Sequence, residues 1–189
     1  MDHSDHVALL RGGVPHEAGA WADLGAGSGA FTLALADLLS AGSTITAVDR
    51  DGAALRELES SFARFARGRQ VVPALTIKRA DFTNDLGLVG LAGVVMANSL
   101  HFVKDKPGVL ARVRAALEDG ARLLLVEYDT DRGNDWVPYP LSFATWRRTA
   151  TASGFTEPVL LHTVPSRFLG RMYSAIALAR DVKPPRGEV

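Results

Sequence analysis

The sequence predicts a doubly wound α/β fold, a largely parallel sheet with helices on both faces. Three observations carry that prediction. Apolar runs at residues 20–24, 43–49, 91–98 and 121–129 alternate with amphipathic helical patterns. Several of these runs are almost continuously apolar, as strands covered on both faces are. Glycine, proline and aspartate stand at the junctions, where helices start and stop.

Each element follows from local chemistry. AWADL (20–24) is the first strand, and Phe31, Leu35, Leu38 and Leu39 then fall on one helical face, with Gly42 as the expected C-cap. STITAVD (43–49), rich in β-branched residues, is the second strand. Asp51 caps a helix whose apolar stripe is Leu55, Leu58, Phe62 and Phe65, and Gly68 stops it. PALTIKRAD (73–81) and LAGVVMAN (91–98) are strands three and four. Asp105 and Pro107 open a helix carrying Val109, Leu110, Val113 and Leu117, which closes near Gly120. ARLLLVEYD (121–129) is the fifth strand, and a helix over 142–153 follows a polar, proline-bearing loop. FTEPVLLHTV and RFLGRMYSAIALAR have no helix-length spacer between them, so the sheet ends in an antiparallel hairpin. Residues 1–180 read as one domain, and 181–189 (DVKPPRGEV) as a flexible tail.

Composition narrows the function. With 47% hydrophobic and 22% charged residues the chain has ordinary globular usage. Its 21 basic and 21 acidic residues cancel, which argues against nucleic acid as the main partner. The absence of cysteine excludes disulfides and thiolate metal sites. The start, MDHSDHVALLRGG, lacks the pattern of a signal peptide, and no apolar run approaches the roughly 20 residues of a membrane span. The expectation is a soluble, cytoplasmic protein.

The stretch ADLGAGSGAF places Gly25, Gly27 and Gly29 between strand and helix. Backbone free of side chains there can turn sharply and approach a ligand at a helix N-terminus, although a tight turn alone would also use glycine. Asp49 ends the second strand 24 residues after Gly25, where an acidic side chain can accept from two ribose hydroxyls. In the RADF stretch, Asp81 can accept from an amino group and Phe82 can pack on a ring. Asn98 and Ser99 break an apolar run at the carboxyl edge of the sheet, where open α/β sheets bind ligands. His101 follows, as either a reaction-centre residue or a loop histidine.

Across residues 18–180 the sequence resembles the class I S-adenosylmethionine-dependent methyltransferases, on ADLGAGSG, TAVDRD, RADF and VVMANSLHF. The ANSLHF wording is most similar to small-molecule enzymes of the ubiquinone/menaquinone-biosynthesis type. The resemblance implies a Rossmann-like seven-stranded sheet of order 3-2-1-4-5-7-6 with the last strand antiparallel. It implies S-adenosyl-L-methionine as cofactor and a small-molecule methyl acceptor. It also implies site residues. Asp23 and the loop Gly25, Ala26, Gly27 and Gly29 hold the methionine part, with Asp23 facing its amino group. Asp49 binds ribose, Arg50 flanks the adenine, Asp81 and Phe82 address it, and Asn98, Ser99 and Leu100 border the sulfonium.

The chain departs from relatives that act on nucleic acid bases, since it has neither [DN]-P-P-[YF] nor a Pro-Cys nucleophile, and it offers no acidic metal-ligand set. His101 is the candidate general base, because an imidazole suits proton transfer near neutral pH, and Glu127 and Tyr128 also end near the acceptor side. Trp136, Pro138, Tyr139, Pro140, Phe143 and Trp146 form either a lid or the packing of the helix at 142–153. The N-terminal residues, with His3, His6 and Arg11, suggest a mobile arm over the cofactor or a homodimer contact; two histidines are too few for a metal site. Two other readings remain open here: a cofactor-binding protein without catalysis, and an NAD-type oxidoreductase. The G-x-G-x-G spacing fits the oxidoreductase poorly.

Overall fold

The computed structural model describes residues 1–181. Its strands are β1 (Ala20–Leu24), β2 (Thr44–Asp49), β3 (Ala74–Arg79), β4 (Leu91–Ala97), β5 (Leu117–Tyr128), β6 (Val159–Ser166) and β7 (Gly170–Leu178). Its helices are α1 (His3–Arg11), α2 (Ala30–Leu38), α3 (Gly52–Ala66), α4 (Lys106–Ala116) and α5 (Phe143–Ala152), with a 3₁₀ turn at Leu100–Phe102. All seven strands join one sheet in the order β3-β2-β1-β4-β5-β7-β6. The first five strands pair in parallel, and β7 runs antiparallel to both β5 and β6. This is the expected order, with the expected terminal hairpin. The predicted tail at 181–189 falls almost wholly outside the described residues.

The period-2 alternation of strand side chains explains the two faces. Ala22, Leu24, Leu123 and Leu125 point to one side, where they pack with Leu110 and Val113 of α4, Trp146 of α5 and Tyr173. Trp21, Leu124 and Val126 point to the other, against Leu9 and Leu10 of α1 and Phe31 and Leu35 of α2. Helices therefore cover both faces and leave the strand tips open. The caps are where the sequence suggested: Asp51 accepts from Ala53 and Ala54 N–H, and Asp105 from Gly108 N–H.

Four local expectations change. Leu117 leaves the helix and starts β5, because it pairs with Leu91 across a register shift that precedes the Gly93–Arg122 pair. Helix α2 ends with Leu39 as C-cap, and Gly42 instead serves the following turn at φ 84°. The N-terminal residues are not a mobile arm. They form α1, closed by a reciprocal capping box between Asp2 and Asp5, with Leu9 and Leu10 fully buried. His3 lies 3.3 Å from Asp37, and the His6 ring meets Phe31 edge-on at 4.7 Å. Finally, the aromatic cluster divides. Trp146 is fully buried and Phe143 stacks edge-on against Tyr173, so both pack α5, whereas Trp136 and Tyr139 are exposed. Among the described residues, no helix is long and apolar enough to cross a membrane.

Candidate active site

The tips of β1, β2, β3 and β4 border a cleft of about 320 Å³. Seven of the residues singled out from sequence line it: Gly25, Asp49, Arg50, Asp81, Phe82, Asn98 and Ser99. Asp51, Ala80, Thr83, Phe102 and Val103 also line it and were not anticipated. Thr83 had a readable signal, since D-x-T at a strand end is an Asx-turn spacing. Asp51 was recognised only as a helix cap, which it also is.

The glycine loop is wired to the β2 tip. Gly25 and Ala26 N–H both donate to the Val48 carbonyl, at 2.9 and 3.0 Å. Gly27 N–H donates to Asp49 Oδ2 at 2.8 Å, and Asp51 N–H donates to Asp49 Oδ1 at 2.9 Å. Asp49 thus holds the loop and faces the cleft at the same time. Gly25 has φ 83°, and a Cβ there would overlap the side chain of Ser99. Gly29 caps α2 at φ 96°, and its Cβ would sit 2.6 Å from Leu58 Cγ. Close approach within the protein therefore explains these two glycines. Ala26 packs into the small core formed with Ala47, Leu55 and Leu58. Changing Gly25→Ala is expected to destabilise the protein by about 2 kcal/mol, from left-handed strain and displacement of Ser99, which thermal unfolding will read.

Asp23 lies outside the cleft lining and is buried. Its Oδ2 accepts from Thr32 Oγ1 at 2.6 Å. Burial pushes its carboxyl up to about 6; the Thr32 bond opposes the shift and the nearby Asp49 charge adds to it. Asp81 is held below the usual carboxylate range by Thr83, whose Oγ1 and N–H donate to Oδ1 at 2.7 and 2.9 Å. Arg50 is exposed, and its carbonyl accepts from Arg79 Nε at 3.3 Å.

At the β4 tip, Asn98 has φ 52°, a left-handed conformation that asparagine tolerates better than most residues. Its N–H donates to the Val126 carbonyl at 2.9 Å, but its Oδ1 is buried without a partner. An unpartnered buried acceptor costs about 1–3 kcal/mol, so Oδ1 is suited to a donor on a ligand. Ser99 Oγ donates to the Leu24 carbonyl at 2.7 Å, joining β4 to β1. The Leu100 side chain lies in the core, away from the cleft. His101 is also outside the cleft lining. It is buried, with Nδ1 at 3.0 Å from both oxygens of Glu127.

The lining suits a nucleoside. A carboxylate at the β2 tip fits vicinal hydroxyls, Phe82 and Asp81 fit a heterocycle with an amino group, and Asn98 carries an Oδ1 without a partner among the described residues. Among solved structures, the YcgJ protein of Bacillus subtilis is similar at a TM-score of 0.76 and 11% identity, over 95% of this chain and 100% of that one. An S-adenosylmethionine-dependent methyltransferase of Methanosarcina mazei aligns at 0.70 and 17% identity, over 88% and 94%. The 1,6-didemethyltoxoflavin-N1-methyltransferase of Burkholderia thailandensis, solved with 1,6-didemethyltoxoflavin and S-adenosylhomocysteine, aligns at 0.72 and 20%, over 95% and 78%. At these identities the likeness establishes the fold. No curated protein matches the sequence. The family model described as "Methyltransferase domain" matches residues 22–123, more than half of the 189-residue chain, and the chain therefore belongs to the methyltransferase-domain family.

Proposed function

We propose that the protein transfers a methyl group from S-adenosylmethionine to a small-molecule acceptor by in-line SN2 displacement. The observation that carries this reading is the convergence of four strand tips on one cleft, with Asn98, whose Oδ1 has no partner among the described residues, at its edge. S-adenosylmethionine is the cofactor, and when bound it supplies an activated methyl group on a sulfonium. Asp49 accepts from the ribose hydroxyls, Arg50 flanks the adenine, and Asp81 and Phe82 receive it. Asp23, beneath the Gly25–Gly29 loop, offsets the charge of the amino group, while Gly27 carries the loop's link to Asp49. Asn98 and Ser99 border the reacting centre through side chain and backbone, and Leu100 through backbone alone. His101 is the proton acceptor on the far side of this turn. The chain's work is alignment and exclusion of water, because the donor brings its own activation.

A small-molecule acceptor accords with the zero net charge and with a fold neighbour bound to 1,6-didemethyltoxoflavin. Calorimetric titration with S-adenosylhomocysteine and, separately, with NAD tests the proposal. Micromolar or tighter binding of the first and none of the second is expected; binding of NAD alone would overturn it. Release of S-adenosylhomocysteine in the presence of mixed acceptors then separates an enzyme from a binding protein.

A further inference from the structure

After β3 the chain runs Ala80-Asp81-Phe82-Thr83-Asn84, and this turn is held at both ends. Ala80 N–H donates to the Asp49 carbonyl at 3.0 Å, which ties the β3 tip to the β2 tip. Asn84 N–H donates to the Asp81 carbonyl at 3.0 Å and closes the turn. Phe82 packs against the core from the middle of it. Asp81, Phe82 and Thr83 all line the cleft.

The two side-chain oxygens of Asp81 are not equivalent. Thr83 N–H donates to Oδ1 at 2.9 Å, and Thr83 Oγ1 donates to the same atom at 2.7 Å. Oδ2 makes no hydrogen bond among the described residues. An oxygen with two donors has both lone pairs engaged, so the accepting capacity left to the cleft is on Oδ2. A hydroxyl can rotate and accept instead of donating, but a backbone N–H cannot. The Thr83 N–H therefore demands an acceptor opposite it. The Thr83 hydroxyl, and after it the N–H, hold the Asp81 carboxyl below the usual range; burial pushes the other way, and the Arg50 charge adds to the lowering. Near neutral pH Asp81 is thus an anion with one oxygen to spare.

We infer that Thr83 is a positioning residue: by engaging Asp81 Oδ1 it commits Oδ2 to the cleft as an acceptor, and so makes the site select a purine with an exocyclic amino group over one with a carbonyl there. This rests on the methyl-transfer reading, in which Asp81 meets adenine. An amino group donates to Oδ2. The carbonyl of hypoxanthine would set one acceptor against another. The same two bonds decide what an amide at position 81 must do. In Asp81→Asn the Thr83 N–H requires oxygen opposite it, so the amide places Oδ1 there and turns Nδ2, a donor, to the cleft. That exchange of a single atom reverses the base preference of the site instead of merely weakening binding.

The test is calorimetry on the full chain with S-adenosylhomocysteine and with S-inosylhomocysteine, in which a carbonyl replaces the amino group. The wild type should favour the adenosyl compound about thirtyfold, the worth of one hydrogen bond to a charged group. Asp81→Asn should favour the inosyl compound. Thr83→Val should narrow the wild-type ratio about threefold, and Thr83→Ser should restore it. Loss of packing alone would weaken both compounds alike and leave the ratio unmoved. A second measurement needs no ligand: carboxyl ¹³C spectra, assigned with Asp81→Asn, should show Asp81 titrating at higher pH in Thr83→Val than in the wild type or Thr83→Ser. An Asp81→Asn protein that still favours the adenosyl compound would overturn the inference. So would a Thr83→Val protein with the wild-type ratio and the wild-type titration. The Asp81→Asn reversal leaves Thr83 untouched, so it stands even where Thr83→Val fails to fold. If neither compound binds the wild type, the methyl-transfer reading fails and base selection with it, whereas the titration difference would still establish the hold of Thr83 on Asp81.

Discussion

Asp49→Ala is expected to weaken S-adenosylhomocysteine binding about a hundredfold, equivalent to about 2.7 kcal/mol. Hydrogen bonds to a charged group contribute about 1.5–3 kcal/mol each, and this carboxylate has two duties. It faces the cleft, and it accepts from Gly27 and Asp51 N–H at 2.8 and 2.9 Å. Alanine removes the acceptor for the ribose hydroxyls and also frees the glycine loop, which must then be ordered by the ligand. Asp49→Asn keeps one carbonyl-type acceptor and should fall between the two. Calorimetry reads both variants, with circular dichroism as the check on folding. A folded Asp49→Ala protein that binds within threefold of wild type would refute the assignment.

Asp23→Asn should move stability and affinity in opposite directions. The Asp23 carboxyl is raised from 3.8 to about 6 by burial. A carboxyl with a raised folded-state pKa adds stability only while protonated. Its contribution is whole below pH 3.8 and is lost as pH climbs through 6. At pH 8 the wild type carries a buried charge whose cost is on the order of 3 kcal/mol. Asparagine carries none and can still accept from Thr32 Oγ1. The variant should therefore melt several degrees higher at pH 8, with that advantage gone near pH 4, while S-adenosylhomocysteine affinity falls about tenfold. Differential scanning fluorimetry across pH and calorimetry measure the two halves. A variant less stable than wild type at pH 8, with unchanged affinity, would remove Asp23 from the cofactor site.

Much of this was legible in the sequence because parallel strands and their caps are written locally. AWADL, TAVD and VVMA are largely apolar because both faces of the sheet are covered, and polar Asp49 ends the second while Asn98 directly follows the third. Leu117 was misread for a physical reason. It continues the helical spacing of Val113, and only its pairing with Leu91 makes it a strand residue. The docked α1 was missed because its burial depends on partners supplied by α2 and the far hairpin. At the site, Asp49, Asp81 and Asn98 could be placed because strand tips converge by topology. The burial of Asp23 and Leu100 could not be read the same way, since Asp23 lies inside β1, where it meets Thr32 of α2, and Leu100 turns into the core from the 3₁₀ turn. The clasp between His101 and Glu127 joins the 3₁₀ turn after β4 to the end of β5, so no local pattern announces it.

The seat of α1 bears on how the chain is made. Gly12 and Gly13, just past its end, lie against Leu124 and Leu161, and the helix contacts both α2 and β6. On a ribosome adding about 5–20 residues per second, α1 emerges before β6 and waits on the order of ten seconds for it to appear. Until then Leu9 and Leu10 have α2 on one side and no hairpin on the other. A helix made early in the domain is thus enclosed late. A fragment stalled before Val159 would display an amphipathic helix to chaperones and proteases, and docking of α1 on β6 joins segments far apart in sequence, a slow class of folding event.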